Sequence, residues 1–219
     1  MKNGLSNALE HVASVHDIPE PPPDDPVPIL REWLRQAEQS GGYADPGAMC
    51  LATCTAGGAP SARIVLCKSI RESPPALVFF TNYESRKGRE LDENPRAAAL
   101  FHWPHAARQA RVEGGVERLS PAESDEYFRS RPYLSRVGAV VSPQSRVIES
   151  RGELIAKVAA LAARSALGQE IARPAHWGGF VLHMRAVELW SGAKARLHQR
   201  VQWLRAAGSE RWSWAYLAP

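Results

Sequence analysis

With 219 residues, 44% of them hydrophobic and 23% charged, the chain has the composition of a soluble globular protein of one large domain or two small ones. That balance excludes a disordered chain, a collagen and a coiled coil; no apolar run approaches the ~18–20 residues of a membrane helix, and Met1 to Val15 show no apolar core behind a basic patch, so neither a membrane span nor a secretory signal is expected. Lys and Arg total 27 against 23 acidic residues, and this excess of +4 is mild, scattered and mostly Arg, which suits a small-anion pocket or a solvated surface and gives no Lys-rich cluster for nucleic acid.

Ile18-Pro-Glu-Pro-Pro-Pro-Asp-Asp-Pro-Val-Pro28 is proline-dense and acidic. Each Pro lacks an N–H and restrains its predecessor, so residues 1–25 are expected to be a flexible arm ahead of one domain, 26–219. Ile29 to Ser40 has helical spacing, with Ile29, Leu30, Trp33, Leu34 and Ala37 on one face and Gly41-Gly42 as its stop. Strands are expected at Ala48–Cys54, Ala62–Ser69 and Ala76–Thr81, separated by Gly57-Gly58 and Pro74-Pro75. A short helix spans Ser85 to Asn94, and Ala97–Trp103, Arg108–Glu113 and Gly115–Leu119 read as a three-stranded meander. Ser120-Pro-Ala-Glu123 fits a capping box opening a helix to about Ser130, and Ser150–Leu167 is a second, Ala- and Leu-rich helix. Gly179–Trp190 alternates again, and Arg196–Leu204 with Arg211–Leu217 form a hairpin split near Gly208. Short strands with frequent turn signals indicate an α+β, mainly β fold built on a barrel or sandwich.

The common catalytic patterns are missing: no phosphate-binding P-loop, no Gly-x-Gly-x-x-Gly after a strand, no His-Glu-x-x-His, no Gly-x-Ser-x-Gly. Three cysteines are too few and too odd in number for a disulfide framework, and a reduced, cytoplasmic protein is expected. Cys50-x-x-x-Cys54 has the wrong spacing for a zinc knuckle; in a strand both fall on one face as small core residues, Cys67 reads as packing, and no metal is expected. Three clusters suit anions. Arg63 and Lys68, five apart, face opposite sides of a regular strand and could reach both sides of a ligand at a subunit seam. Ser85-Arg86-Lys87-Gly88 offers free N–H groups, a hydroxyl and two cations at a helix start. Tyr127 and Arg131 share a helix face, with Ser135 in the loop beyond. Two phosphate sites suggest a phosphorylated cofactor and a phosphorylated substrate.

The ordered series Arg63-Ile-Val-Leu-Cys-Lys68, Phe80-Thr-Asn-Tyr-Glu-Ser-Arg-Lys87, Arg108-Gln-Ala-Arg-Val-Glu-Gly114, Tyr127 to Ser135, Ser142-Pro-Gln-Ser-Arg146, Trp177-Gly-Gly-Phe180, Glu188-Leu-Trp-Ser-Gly192, Arg196-Leu-His-Gln-Arg200 and Leu217-Ala-Pro219 resembles the pyridoxine (pyridoxamine) 5′-phosphate oxidase family from about Asp24 to the C-terminus. The resemblance implies an FMN-binding split β-barrel that works as a homodimer. It implies FMN at the dimer seam on Arg63, Lys68, Phe80, Thr81, Arg86, Lys87, Gln109, Gln144, Ser145, Trp190 and Arg200. The substrate phosphate would sit on Lys68, Tyr127, Arg131 and Ser135, with Arg196 and His198 over the substrate ring as the catalytic pair. The implied reaction is oxidation of pyridoxine or pyridoxamine 5′-phosphate to pyridoxal 5′-phosphate, with dioxygen giving peroxide.

The departures cluster on the substrate side. Met1 to Pro28 holds no Arg, where the family carries an Arg-x-x-Tyr stretch. Arg131-Pro-Tyr-Leu-Ser-Arg-Val-Gly-Ala-Val140 stands where the family has Arg-Pro-Arg-(Asp/Glu)-Ser-Gln-Ile-Gly-Ala-Trp; His198-Gln199-Arg200 replaces His-(Asp/Glu)-Arg, and Ser191-Gly-Ala-Lys-Ala195 also differs. Two alternatives stay open. One is a same-fold FMN oxidase of a secondary-metabolite pathway such as phenazine biosynthesis, which the Pro132-Tyr133 step resembles. The other is a flavin- or pyridoxal-phosphate-binding protein without turnover. The same cations suit a phosphate or a carboxylate on the substrate.

Overall fold

The structure, a computed structural model, describes residues 17–166 and 170–219. Eight antiparallel strands run in the order β3-β2-β1-β4-β5-β6-β7-β8, and β3 also pairs with β6, which closes β1 to β6 into a barrel. They are β1 (Ala48–Cys54), β2 (Pro60–Glu72), β3 (Pro75–Asn82), β4 (Arg96–Trp103), β5 (Arg108–Arg118), β6 (Trp177–Ser191), β7 (Gln199–Arg205) and β8 (Trp212–Tyr216). Length explains the closure. β6 pairs with β5 along its course, gives its first half to β3 (Phe80↔Gly179, Leu77↔Leu182) and its second half to β7 (Trp190↔Arg200). Five α-helices lie among the described residues: α1 (Val27–Gln39), α2 (Arg86–Glu93), α3 (Pro121–Ser130), α4 (Tyr133–Val141) and α5 (Arg151–Ala166).

Period-two alternation builds the core. Met49 and Leu51 of β1, Phe79 of β3, Phe101 of β4, Val112 of β5, and Leu182 and Leu189 of β6 point inward and are fully buried. The apolar stripe Val27, Leu30, Trp33 and Ala37 of α1 seals one end, with Trp33 edge-on to Trp103 at 6.4 Å. Burying each such large side chain contributes about 1.5–3 kcal/mol.

Four readings are corrected. Arg108–Glu113 and Gly115–Leu119 are one strand: β6 bulges by one residue, Arg185, opposite Glu113-Gly114, and a Cβ on Gly114 would lie 1.8 Å from the His183 carbonyl oxygen. Gly114 thus marks a close backbone approach and not a strand end. The loop after Arg131 is helix α4, which buries Val137 against Phe128 and Trp177. Cys50 and Cys54 share a face as read, but it is the half-buried outward face of β1 and not the core. Finally, Ile18 is fully buried in the main core and Pro22 is buried too, so part of the segment expected as a free arm packs on the fold before residue 26. The rest of the expected arm, residues 1–16, lies outside the described residues, as does the expected helix end at Leu167.

Candidate active site

Strands β2 and β3, the start of α2 and the α3–α4 corner surround a cavity of about 640 Å3. Its walls bring together Arg63, Lys68, Phe80, Thr81, Lys87, Tyr127, Arg131, Ser135 and Gln144, joined by Ile64, Ser130 and Trp177. Lys68 is the extra residue of a bulge between Cys67 and Ser69. Arg63, paired with the fully buried Leu51, turns to the inner side of the strand and the exposed Lys68 to its outer side, as read, and both border the cavity. Cys67 faces the core beside them, and burial pushes its thiol up to about 12, the state of a packing residue and not of a nucleophile.

Helix α2 supplies the cationic end. Ser85 is its N-cap, accepting from Gly88 N at 3.3 Å, so its hydroxyl serves the helix. Lys87, on the first turn, folds back: its Nζ donates to Gln144 Oε1 at 2.8 Å, Thr81 Oγ1 at 3.0 Å and Ser85 Oγ at 3.2 Å. Burial, with Arg63 nearby as a second cause, pulls its ammonium down to about 8, while Glu90 opposes the shift. Arg63 donates to Thr53 Oγ1 at 2.5 Å and Leu51 O at 3.3 Å, and reaches Glu90 at 3.3 Å. Two cations turned toward one cavity are relieved by an anion between them.

The opposite wall is aromatic. Phe80 stacks on Tyr127 at 3.7 Å between ring centroids and on Trp177 at 5.6 Å. The Arg131 guanidinium lies 4.6 Å over the Trp177 ring, burial holds its pKa below the ordinary value, and its Nη1 is buried without a hydrogen-bond partner. A buried donor left unpaired costs about 1–3 kcal/mol, and an oxyanion in the cavity would satisfy it.

The remaining residues singled out from sequence lie elsewhere. Gln109, Trp190 and Arg200 form one register row across β5, β6 and β7. Alternation with buried Ala110, Leu189 and Val201 turns that row to the outside of the barrel. Arg196 is exposed in the β6–β7 loop, while His198 accepts from Ala193 N at 3.2 Å and packs on Trp190 at 4.7 Å. Arg86 points away, pairing with Glu90 at 2.8 Å, and Ser145 is exposed with φ +68°.

Two carboxylates escaped the sequence reading. Glu90 is buried; burial pushes its carboxyl up, but bonds from Ser61, Thr53, Arg86 and Arg63 together outweigh that and hold it at about 2. Glu188, also buried, joins Arg111 (2.9 Å) and Arg200 (2.8 Å). The i,i+4 spacing of Arg86 and Glu90 was a usable signal for the first; the cross-strand contacts of Glu188 have no local signature. Trp177, quoted only as part of a motif, proves to be a cavity wall.

A barrel with a cationic, hydroxyl-rich cavity beside an aromatic wall has the chemistry to suit an anionic planar ligand. The family described as pyridoxamine 5′-phosphate oxidase matches residues 36–165, and the pyridoxine 5′-phosphate oxidase C-terminal dimerisation region matches residues 177–219. Relatives named pyridoxine/pyridoxamine 5′-phosphate oxidase include one from Mannheimia succiniciproducens, 48% identical over 180 residues, 82% of this chain and 83% of the relative. Another, from Burkholderia thailandensis, is 49% identical over 188 residues, 85% and 86% of the two chains. Among solved structures, PhzG from Burkholderia lata in complex with tetrahydrophenazine-1-carboxylic acid superposes with a TM-score of 0.83 at 31% identity, over 90% of this chain and 94% of that one. An FMN-binding protein from Nostoc punctiforme, 18% identical with a TM-score of 0.67 over 87% and 95% of the chains, shares the fold. The chain belongs to the pyridoxamine 5′-phosphate oxidase family and is an oxidoreductase of that family. No helix of the described residues is long and apolar enough to cross a membrane.

Proposed function

We propose that this protein is an FMN-dependent oxidase that converts pyridoxine or pyridoxamine 5′-phosphate to pyridoxal 5′-phosphate. The observation that carries the reading is the cavity that gathers Lys68, Tyr127, Arg131 and Ser135 beside Arg63, Thr81 and Lys87. The second trio suits the FMN phosphate, on charge-assisted bonds at the start of α2. The first four suit a substrate phosphate, with the unpaired Arg131 Nη1 as the donor in waiting. Holding the phosphate fixes the substrate ring, so binding energy becomes orientation. FMN held by Arg63, Thr81 and Lys87 would supply the hydride acceptor for the substrate and the route for its electrons to dioxygen.

The working site is composed by two chains. Gln109, Trp190 and Arg200 belong to the outward face and not to the wall of their own chain's cavity. That face is unusually apolar: the row Ile64–Cys50–Leu100 and the row Ala62–Ala52–Ala98 run across β2, β1 and β4, with Ile64 65% exposed. Strands apolar on both faces are strands buried on both faces. A homodimer covering this surface would carry one protomer's Gln109, Trp190, Arg200, Arg196 and His198 toward its partner's cavity.

A second reading, oxidation of a reduced phenazine-type carboxylate, has in its favour the likeness to PhzG and one feature of the site: Tyr133 and Leu134, 38% and 71% exposed, place apolar surface next to the cavity-lining Pro132 and Ser135. The 48–49% identity to relatives named for the vitamin oxidase favours the first. Oxygen uptake by the purified yellow protein decides. Turnover of pyridoxamine 5′-phosphate is the expected result; turnover of reduced phenazine carboxylates alone would establish the second reading.

A further inference from the structure

The loop joining β6 to β7, residues 192–198, carries Arg196 and His198. Its backbone holds two consecutive non-glycine residues in the left-handed region, Ala195 (φ 56°) and Arg196 (φ 61°), a conformation that surrounding structure must enforce. Inside the loop, the Ala193 N–H to His198 Nδ1 bond and a Leu197-to-Lys194 backbone turn, both 3.2 Å, contribute. The base of the loop is fastened from outside. Ser191 and Gln199 are the last register pair of the β6–β7 ladder. Asp17 Oδ2 accepts from the Ser191 hydroxyl at 2.6 Å, and the same carboxylate takes Arg108 Nη2 at 2.7 Å and Nε at 3.1 Å. The next residue, Ile18, fully buried, makes a two-point bond to Gln199: its N–H donates to Oε1 at 3.0 Å, and Nε2 donates to its carbonyl at 2.7 Å. Further on, the Trp203 indole donates to the Pro23 carbonyl at 2.8 Å and ties the arm to β7.

We propose that Asp17 and Gln199 are positioning residues, which splint the N-terminal arm across both ends of the 192–198 loop and so set Arg196 and His198 for turnover. The proposal rests on the reading above that those two act on substrate. The chemistry at position 199 is specific. An amide donates to one backbone group of Ile18 and accepts from the other; a carboxylate can only accept and would face the Ile18 carbonyl with like charge. A protonated carboxyl again offers both functions.

Gln199→Glu in the full-length, flavin-loaded protein therefore gives a test with its own pH signature. At pH 7.5, hydrogen exchange of the 192–198 amides should accelerate and kcat/KM should fall, each by about tenfold, the scale of one lost buried hydrogen bond, while flavin content is unchanged. Lowering the pH toward the ordinary carboxyl value of about 4.3 should narrow both differences from the parent. The charged and titratable groups around position 199 are Asp17, bonded to Ser191 in the register pair of Gln199, its partner Arg108, and the chain neighbours His198 and Arg200; the parent measured over the same pH range subtracts their titration. Asp17→Asn, which weakens the Arg108 pair, should reproduce the faster exchange without the recovery. Parental exchange in both variants would overturn the splint. Faster exchange with parental kcat/KM would overturn the positioning role. A parent without turnover on any of the substrates would sink the functional reading and the turnover half of this proposal with it, and exchange alone would then decide the fastening.

Discussion

Lys87 is buried and cationic at once, and its titration couples stability to ligand binding. Its ammonium titrates at about 8 in the fold against an ordinary 10.5, chiefly because burial penalises the charged form. Below about 8 both folded and unfolded chains carry the proton, and the penalty is fully in place. Between about 8 and 10.5 the unfolded chain holds the proton and the folded chain has released it, so this residue makes stability rise with pH. Its hold on the proposed flavin phosphate would run the other way and weaken as pH climbs through 8. Fluorescence titration of flavin-free protein should show FMN affinity falling from pH 7 to 9, and thermal melts of Lys87→Met should lose the alkaline gain. Arg196 makes a different prediction: exposed in its own chain, it is expected to act on substrate alone. Arg196→Leu should leave the protein yellow and lower kcat/KM by one to two decades, about the loss of one charged hydrogen bond of ~1.5–3 kcal/mol. Parental kcat/KM would place the site elsewhere.

At the scale of elements, α3 links a legible local signal to the cavity. The capping box read from Ser120-Pro-Ala-Glu123 is present in both directions: Glu123 N donates to Ser120 Oγ at 3.2 Å and Ser120 N to Glu123 Oε2 at 3.1 Å. The Ser120 hydroxyl first, and Arg71 of β2 second, hold the Glu123 carboxyl below its usual range. This box fixes where α3 starts, and hence where Tyr127 meets Phe80 one end later. Ser120→Ala should cost about 1 kcal/mol, seen as a melting temperature lower by ~2–4 °C, with a rise in KM before any change in flavin content. Helix α4 was missed for the complementary reason. Pro132 leads it without a side-chain cap bond, and its nine residues bury one side chain fully, Val137, so tertiary packing and not local propensity stabilises it.

For the whole molecule, the outward face of the barrel is the decisive surface. Ile64 sits in its apolar row and also on the rim of the cavity, so one residue reports on assembly and ligand binding together. Ile64→Asp should yield monomers by sedimentation and release flavin, because a charge buried in an interface without a partner is strongly unfavourable. A monomer that retains stoichiometric flavin would refute the two-chain site.

Alternation and turn residues determined a mainly β fold, barrel or sandwich, from sequence alone: β1 runs Ala48–Cys54 as read, and α2 fills the interval between its Ser85 and Asn94 caps. Period two and capping are local rules, set by neighbours a few residues apart. The lining of the cavity was legible in part, because Arg63, Lys68, Tyr127, Arg131 and Ser135, singled out as Arg, Lys, Tyr and Ser in apolar or turn settings, all border it. Which of them meet was not legible. Arg63 and Lys68, on opposite sides of β2, border one cavity, and a bulge at Arg185 lets two expected strands run on as β5. Asp17 and Ile18 reach Ser191 and Gln199 across more than 170 positions of sequence. Such contacts depend on how the sheet closes and where its register slips, and only the tertiary structure decides that, since each is stabilised by partners that no local window contains.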